Sequence, residues 1–259
     1  MLRRDRPIGV FDSGLGGLTV VKEIKKINPQ ADVVYLGDTA RIPYGTRSKQ
    51  VVEEFSVQDA KFLEKQGVGA IVIACNTASA LATQAVSQAV KVPVYEVITA
   101  GSQAAAAATH SLRVGVIGTR ATIGSHAYAI GIKDLNPKII IHELACPLLV
   151  PLIEEGETKG EIINLVLSKY LKQVKQWRVD TLILGCTHYP LIERLIRSQL
   201  GNNVRLINSG EEVAKRLPKL TGKGKDKYFV TDMTPRFIKT ARLFLGYDIG
   251  DKTERVKLT

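Results

Sequence analysis

The sequence predicts an α/β fold of two similar three-layer domains, each with a mainly parallel sheet flanked by helices. Three observations carry that prediction. Short runs of β-branched and apolar residues alternate with longer amphipathic segments, the pattern of a parallel sheet with crossover helices. Two of these runs end alike, in Ile71-Val72-Ile73-Ala74-Cys75-Asn76-Thr77 and in Thr181-Leu182-Ile183-Leu184-Gly185-Cys186-Thr187. The elements around the first run recur around the second, shifted by about 110 positions, too long a period for a solenoid repeat. The halves should be related by pseudo-symmetry, with the active site in the cleft between them. The expected division is residues 1–98 with 210–259 for one domain and 99–209 for the other.

The elements follow in order. Residues 8–11 read as a buried strand, and Asp12-Ser13-Gly14-Leu15-Gly16-Gly17 as a glycine-rich turn opening a helix to about Lys26. Asn28-Pro29 stops that helix. Residues 33–38 are the second strand, and a loop over 39–48 follows. From 49 to 66, Val52, Phe55, Asp59, Phe62 and Leu63 fall near one helical face, with Lys61 and Lys65 outside it. After the Cys75 strand and its helix, residues 92–97 make a fourth strand and 101–109 an alanine-rich helix. In the second half, 114–119 echo 8–13, 138–142 echo 32–36, the helix over 160–177 echoes 49–66, and 203–210 echo the fourth strand. Residues 228–232 and a helix over 235–245 add one strand and one helix to one domain. The lysine-rich loop 221–227 is expected to be mobile.

The chain has 259 residues, 45% hydrophobic and 24% charged, an ordinary globular composition. The start, Met1 to Pro7, is charged and has no apolar core of a signal peptide, and no apolar run is long enough to span a membrane. Three cysteines argue against a disulfide framework and for a reducing, cytoplasmic setting. The net charge of +11 suits an acidic small molecule. Nucleic acid is not expected as a partner, because the basic residues are scattered and no zinc-finger, RNP-type or basic-helix pattern accompanies them.

Cys75 and Cys186 each sit where a strand gives way to a helix, where open α/β sheets place ligands. Unpaired N–H groups there attract anions and favour a thiolate. Several chemistries are open to such a pair. A redox couple normally uses Cys-x-x-Cys. A zinc site needs more ligands at tight spacing, and His110, His126, His142 and His188 do not cluster in sequence. A cysteine hydrolase needs one thiol with a dedicated histidine. Two buried structural cysteines are the plain alternative, but polar pairs follow both thiols, Asn76-Thr77 and Thr187-His188. Two bases on opposite faces of a substrate are what a cofactor-free racemase requires. Asp12, Asn76, Thr77 and Thr187 are the kind of groups that would hold an amino acid.

The chain resembles the glutamate racemases over nearly its whole length. The motifs are Gly9-Val10-Phe11-Asp12-Ser13-Gly14 with Gly16-Gly17-Leu18-Thr19, Gly37-Asp38 with Pro43-Tyr44-Gly45, and Cys75-Asn76-Thr77-Ala78. Cys146-Pro147-Leu148 with Glu154-Glu155-Gly156 and Gly185-Cys186-Thr187-His188-Tyr189-Pro190 complete them. The glycine-rich turn alone would equally suit a nucleotide phosphate loop, but no acidic residue follows at dinucleotide spacing.

The resemblance implies an enzyme that interconverts L- and D-glutamate without cofactor or metal and supplies D-glutamate for peptidoglycan. It implies that Cys75 acts on the D-enantiomer and Cys186 on the L-enantiomer, assisted by Asp12 and His188 respectively. It further implies that Ser13, Asn76, Thr77, Thr119 and Thr187 contact the substrate and that Pro43, Tyr44 and Gly45 line the mouth. It implies two supporting acids, Asp38 and a glutamate before Gly156, either Glu154 or Glu155, of which Glu154 is chosen; Cys146 is assigned to packing. An aspartate racemase and a non-catalytic amino-acid-binding protein remain the alternatives, and a homodimer is compatible with the sequence.

Overall fold

The computed structural model describes residues 5–258, apart from the side chains of residues 235 and 236. The first four residues of the charged start discussed above lie outside that range.

The first half runs β1 (Ile8–Asp12), α1 (Leu18–Ile27), β2 (Val33–Gly37), α2 (Lys49–Lys65), β3 (Ala70–Ile73), α3 (Asn76–Ala89), β4 (Val94–Glu96) and α4 (Val97–Ala108). The second runs β5 (Arg113–Gly118), α5 (Arg120–Gly124), α6 (Ala127–Leu135), β6 (Ile140–Ala145), α7 (Leu149–Glu154) and α8 (Glu161–Gln176), then β7 (Thr181–Gly185), α9 (Glu193–Leu200), β8 (Arg205–Asn208) and α10 (Ser209–Arg216). The chain closes with β9 (Lys227–Val230), α11 (Pro235–Leu245) and β10 (Thr253–Arg255).

Two parallel sheets result, ordered β10-β9-β2-β1-β3-β4 and β6-β5-β7-β8. The core of the first, β2-β1-β3-β4, has the same order as the whole of the second, which is the pseudo-symmetry the repeat implied. In both halves the cysteine strand lies beside the first strand, so each thiol emerges near the middle of its sheet, at the carboxyl edge. One apolar cluster joins the halves: Ile8, Val10 and Ile24 from the first belong to the same buried core as Leu182, Leu184 and Ile196 from the second. Helix α10 packs on α1 and α4 and also on β7 and β8, and so bridges the halves. Among the described residues, no helix is long and apolar enough to cross a membrane.

Local departures from the sequence reading have local causes. The fourth strand spans only Val94–Glu96, and α4 begins at Val97 instead of Gly101. Glu96 caps it, its carboxylate accepting from the Ile98 and Thr99 N–H groups at 2.5 and 2.8 Å. The strand expected over 138–142 lies at Ile140–Ala145. The C-terminal segment adds two strands, not one, because β10 pairs with β9. The loop 221–227, expected to be mobile, is tied down. Asp32 accepts from the N–H groups of Lys223 and Lys225 at 2.9 and 2.7 Å, and Asp226 pairs with Lys25 at 3.1 Å.

Candidate active site

The carboxyl ends of β1, β3 and β7 open onto one cavity of about 270 Å³. Cys75 and Cys186 both line it, and both are buried. So do Asp12, Ser13, Pro43, Tyr44, Gly45, Asn76, Thr77, Thr119, Glu154, Thr187 and His188. Of the residues singled out in the sequence, Asp38 alone stands back from the wall.

Cys75 is the N-cap of α3, and its sulfur accepts from the Ala78 N–H at 3.5 Å. The Ser13 hydroxyl lies 3.5 Å away. The helix N-terminus was expected to favour the thiolate, but the balance runs the other way. Burial, seconded by the negative charge of Asp12, pushes the Cys75 thiol up to about 12, against the smaller help of the Ala78 and Ser13 hydrogen bonds. Burial likewise raises Asp12, opposed by His188 and by N–H groups including that of Gly14, which donates to Oδ2 at 2.9 Å.

Cys186 differs from its counterpart. No α-helix follows it directly. Residues 187 and 188 form a turn, a 3-10 turn covers Tyr189–Ile192, and α9 starts only at Glu193. The helix N-terminus expected at Cys186 is therefore absent, and a histidine takes its place. His188 Nδ1 lies 3.7 Å from the Cys186 sulfur and Nε2 lies 3.0 Å from Glu154 Oε1. Burial opposes a charge on this ring, but the Cys186 and Glu154 contacts outweigh it and hold the imidazole up to about 10. Both contacts favour the imidazolium form of His188. Glu154, at the end of α7, supplies the carboxylate, and Glu155 lies outside the cavity.

The remaining walls are polar. Thr77 and Thr119 hydroxyls meet at 2.9 Å across the two halves, and Thr122 lies within 3.3 Å of Thr77. Asn76 Oδ1 receives the Tyr128 hydroxyl at 2.6 Å. The Thr187 hydroxyl reaches Asp12 Oδ1 at 3.5 Å, and its carbonyl accepts from Thr19 at 2.8 Å. The loop carrying Pro43, Tyr44 and Gly45 covers one side. Behind it, the Tyr44 hydroxyl contacts Asp38 at 2.5 Å and Asp59 at 3.0 Å, while Arg41 pairs with both carboxylates.

Sequence reasoning missed Asp59, placed on an inward helical face with no chemistry, and Arg120, an exposed cation on the cavity wall. Asp59 carried a signal, being an acid in an apolar stripe; Arg120 carried none. Cys146, assigned to packing, is buried but also lines the cavity. Among the described residues no group of three or more His, Cys, Asp or Glu side chains is arranged to hold a metal ion.

Comparison with known proteins agrees with this geometry. Residues 9–217 match the Asp/Glu/Hydantoin racemase family. A glutamate racemase of Geobacter metallireducens is 47% identical over 256 residues, 95% of each chain. The crystal structure of a glutamate racemase from Francisella tularensis in complex with D-glutamate superposes with a TM-score of 0.90 at 42% identity over 98% of each chain. A glutamate racemase isoform from Bacillus anthracis does so with a TM-score of 0.93 at 37% identity over 99% of each. By sequence match and by fold, the chain belongs to the Asp/Glu/Hydantoin racemase family.

Proposed function

We propose that the chain is a glutamate racemase that interconverts L- and D-glutamate with two cysteines as acid and base, supplying D-glutamate for peptidoglycan in the cytoplasm. The observation that carries this reading is the pair of thiols, delivered to one cavity from equivalent strand ends of two like-ordered sheets. A planar carbanion must lose its proton on one face and regain it on the other, and two bases from two pseudo-symmetric halves suit that need.

The two sides are electrostatically unlike. A thiolate formed at Cys186 has the His188 imidazolium as its counter-charge. At Cys75 the neutral thiol dominates at neutral pH, which suits a proton donor. In the L-to-D direction Cys186 takes the α-proton and Cys75 delivers one to the opposite face. In the reverse direction Cys75 must lose its proton to become the base, and Asp12 assists. Ser13, Asn76, Thr77, Thr119 and Thr187 hold the substrate, Pro43, Tyr44 and Gly45 frame the mouth, and Glu154 orients His188. Asp38 acts through Tyr44. Residues 1–98 with 210–259 and residues 99–209 form the two domains whose cleft holds the site.

The test is direct. Purified full-length chain is incubated with L-glutamate and optical rotation is followed. Loss of rotation with accumulation of D-glutamate supports the reading. Turnover of aspartate without glutamate would transfer it to an aspartate racemase, and turnover of neither would leave a binding protein.

A further inference from the structure

Asn76 is the cavity residue with a group left over. Its Oδ1 accepts from Tyr128 at 2.6 Å and is also reached by the Ser209 hydroxyl at 3.4 Å. Its Nδ2 has no partner, the only buried side-chain nitrogen or oxygen so placed among the described cavity residues. A buried amide N–H without an acceptor is costly to leave unpaired, and a ligand oxygen would satisfy it.

Tyr128 is built into the fold to reach this amide. The chain turns sharply after α5 at His126, where φ is +54°, and α6 then begins with Tyr128 as its second residue. The ring is fully buried in a slot made by two glycines. A Cβ at Gly101 would stand 3.0 Å from Tyr128 Cε1, and one at Gly185 3.2 Å from Cε2. Gly185 directly precedes Cys186, so one slot aligns the ring with both the catalytic strand and Asn76.

We infer that Tyr128 is a positioning residue: by donating to Asn76 Oδ1 across the two halves, it fixes the amide with its NH₂ group free for a substrate carboxylate. The two ends of a carboxamide are nearly the same shape, so packing alone does not choose between them. Tyr128 does choose: a phenol is a strong donor and a weak acceptor, so at 2.6 Å it favours the carbonyl end over the NH₂ end. In the opposite orientation an acceptor oxygen would meet the carboxylate and repel it.

The inference rests on the glutamate racemase reading, and the experiment separates the two. Racemisation of L-glutamate is measured for the full-length chain, Tyr128→Phe, Asn76→Ala and the double variant, with KM and kcat resolved. Substrate carboxylates are charged before the proton moves, so a lost donor shows mainly in KM. Tyr128→Phe is expected to raise KM about tenfold, with kcat changed less than about threefold. In the Asn76→Ala background the same change should raise KM no further. Where turnover of that background is too slow, the cycle is read from glutamate affinities by titration calorimetry. Filling of the glycine slot alone would cost the same with or without Asn76. An unchanged KM, or a rise that persists without Asn76, overturns the inference while leaving the racemase reading intact. A wild-type chain that racemises no glutamate overturns both. Should the phenylalanine variant fail to fold, Ser209→Ala, which removes the other hydroxyl at Oδ1, is read in the same cycle for a shift of about threefold.

Discussion

Gly16 of the glycine-rich turn lies so close to Thr187, across the cleft, that a Cβ at position 16 would collide with the threonine hydroxyl oxygen. The same Cβ would stand 2.7 Å from His188 Cε1. The missing side chain is thus what lets the turn after β1 meet the turn after β7. Its neighbour keeps the turn tight on its own strand, because a Cβ at Gly17 would lie 2.5 Å from Cβ of Asp12. This turn brings together the residues assigned to opposite sides of the substrate.

Gly16→Ala should therefore damage the site more than the fold. Relief of the overlap requires Thr187 and His188 to shift, at a cost of about 1–3 kcal/mol for an overpacked contact. Racemisation should fall at least about tenfold, since small displacements of reacting groups are expensive. Thermal unfolding and turnover, measured together, check this; wild-type turnover in the alanine variant would refute the packing argument.

The pH dependence of the Cys186 side follows from His188. Its folded pKa of about 10 lies above the ordinary 6.5, so its charge contributes stability that is complete below 6.5 and lost as pH rises toward 10. The alkaline limb of kcat/KM should reflect the same loss of the imidazolium. Glu154→Gln removes one of the two contacts that hold this pKa up, and should move the limb to lower pH by about one unit. Superimposable pH–rate profiles for the two proteins would show that Glu154 does not act through His188.

Behind the mouth loop, Asp59 shows the same sign of pH dependence from a different cause. Burial and the adjacent Asp38 raise it well above the ordinary carboxylate range, despite Arg41 and Tyr44. A raised acid binds its proton more tightly in the folded chain, so its stabilising effect is present at low pH and is lost as pH rises above the unfolded value. The Tyr44 hydroxyl has one hydrogen, which the 2.5 Å contact assigns to Asp38, and a protonated Asp59 then donates to the tyrosine oxygen. Asn at position 59 can make the same donation. Asp59→Asn should leave the melting temperature unchanged or higher at pH 8, and racemisation within about twofold. A fall of several degrees at that pH would mean that Asp59 is held as the anion.

The fold was legible because parallel strands buried on both faces leave continuous apolar runs, and because the duplication showed the same pattern twice. Cys75, Cys186 and the polar residues after them were legible for the same reason. What escaped depended on contacts between distant segments. Asp59 joins Asp38 only once α2 packs beside the loop after β2, and no spacing encodes that meeting. β10 is three residues long and gains its place by pairing with β9. The burial that raises Cys75 was not legible for a related reason. A helix N-terminus is visible in sequence, whereas the depth of burial that outweighs it is a property of the closed cleft.

The last prediction concerns the thiols themselves. A serine hydroxyl at either position cannot ionise near neutral pH and is a far weaker base than a thiolate. Cys75→Ser and Cys186→Ser should each lower racemisation by about a thousandfold or more, although the side chain barely changes in size. Each variant keeps one thiol, and that thiol still faces one side of the bound substrate. In heavy water, Cys186 in the Cys75→Ser variant should continue to exchange the α-hydrogen of L-glutamate. Cys75 in the Cys186→Ser variant should exchange that of D-glutamate, and only at higher pH, because its thiol sits near 12. His188→Asn should depress the first exchange and spare the second, since its ring contacts the Cys186 sulfur at 3.7 Å. Proton nuclear magnetic resonance of the α-position reads both exchanges directly. If either serine variant racemises at a near-normal rate, or if both variants exchange the same enantiomer, one base serves both faces and the two-thiol mechanism is wrong.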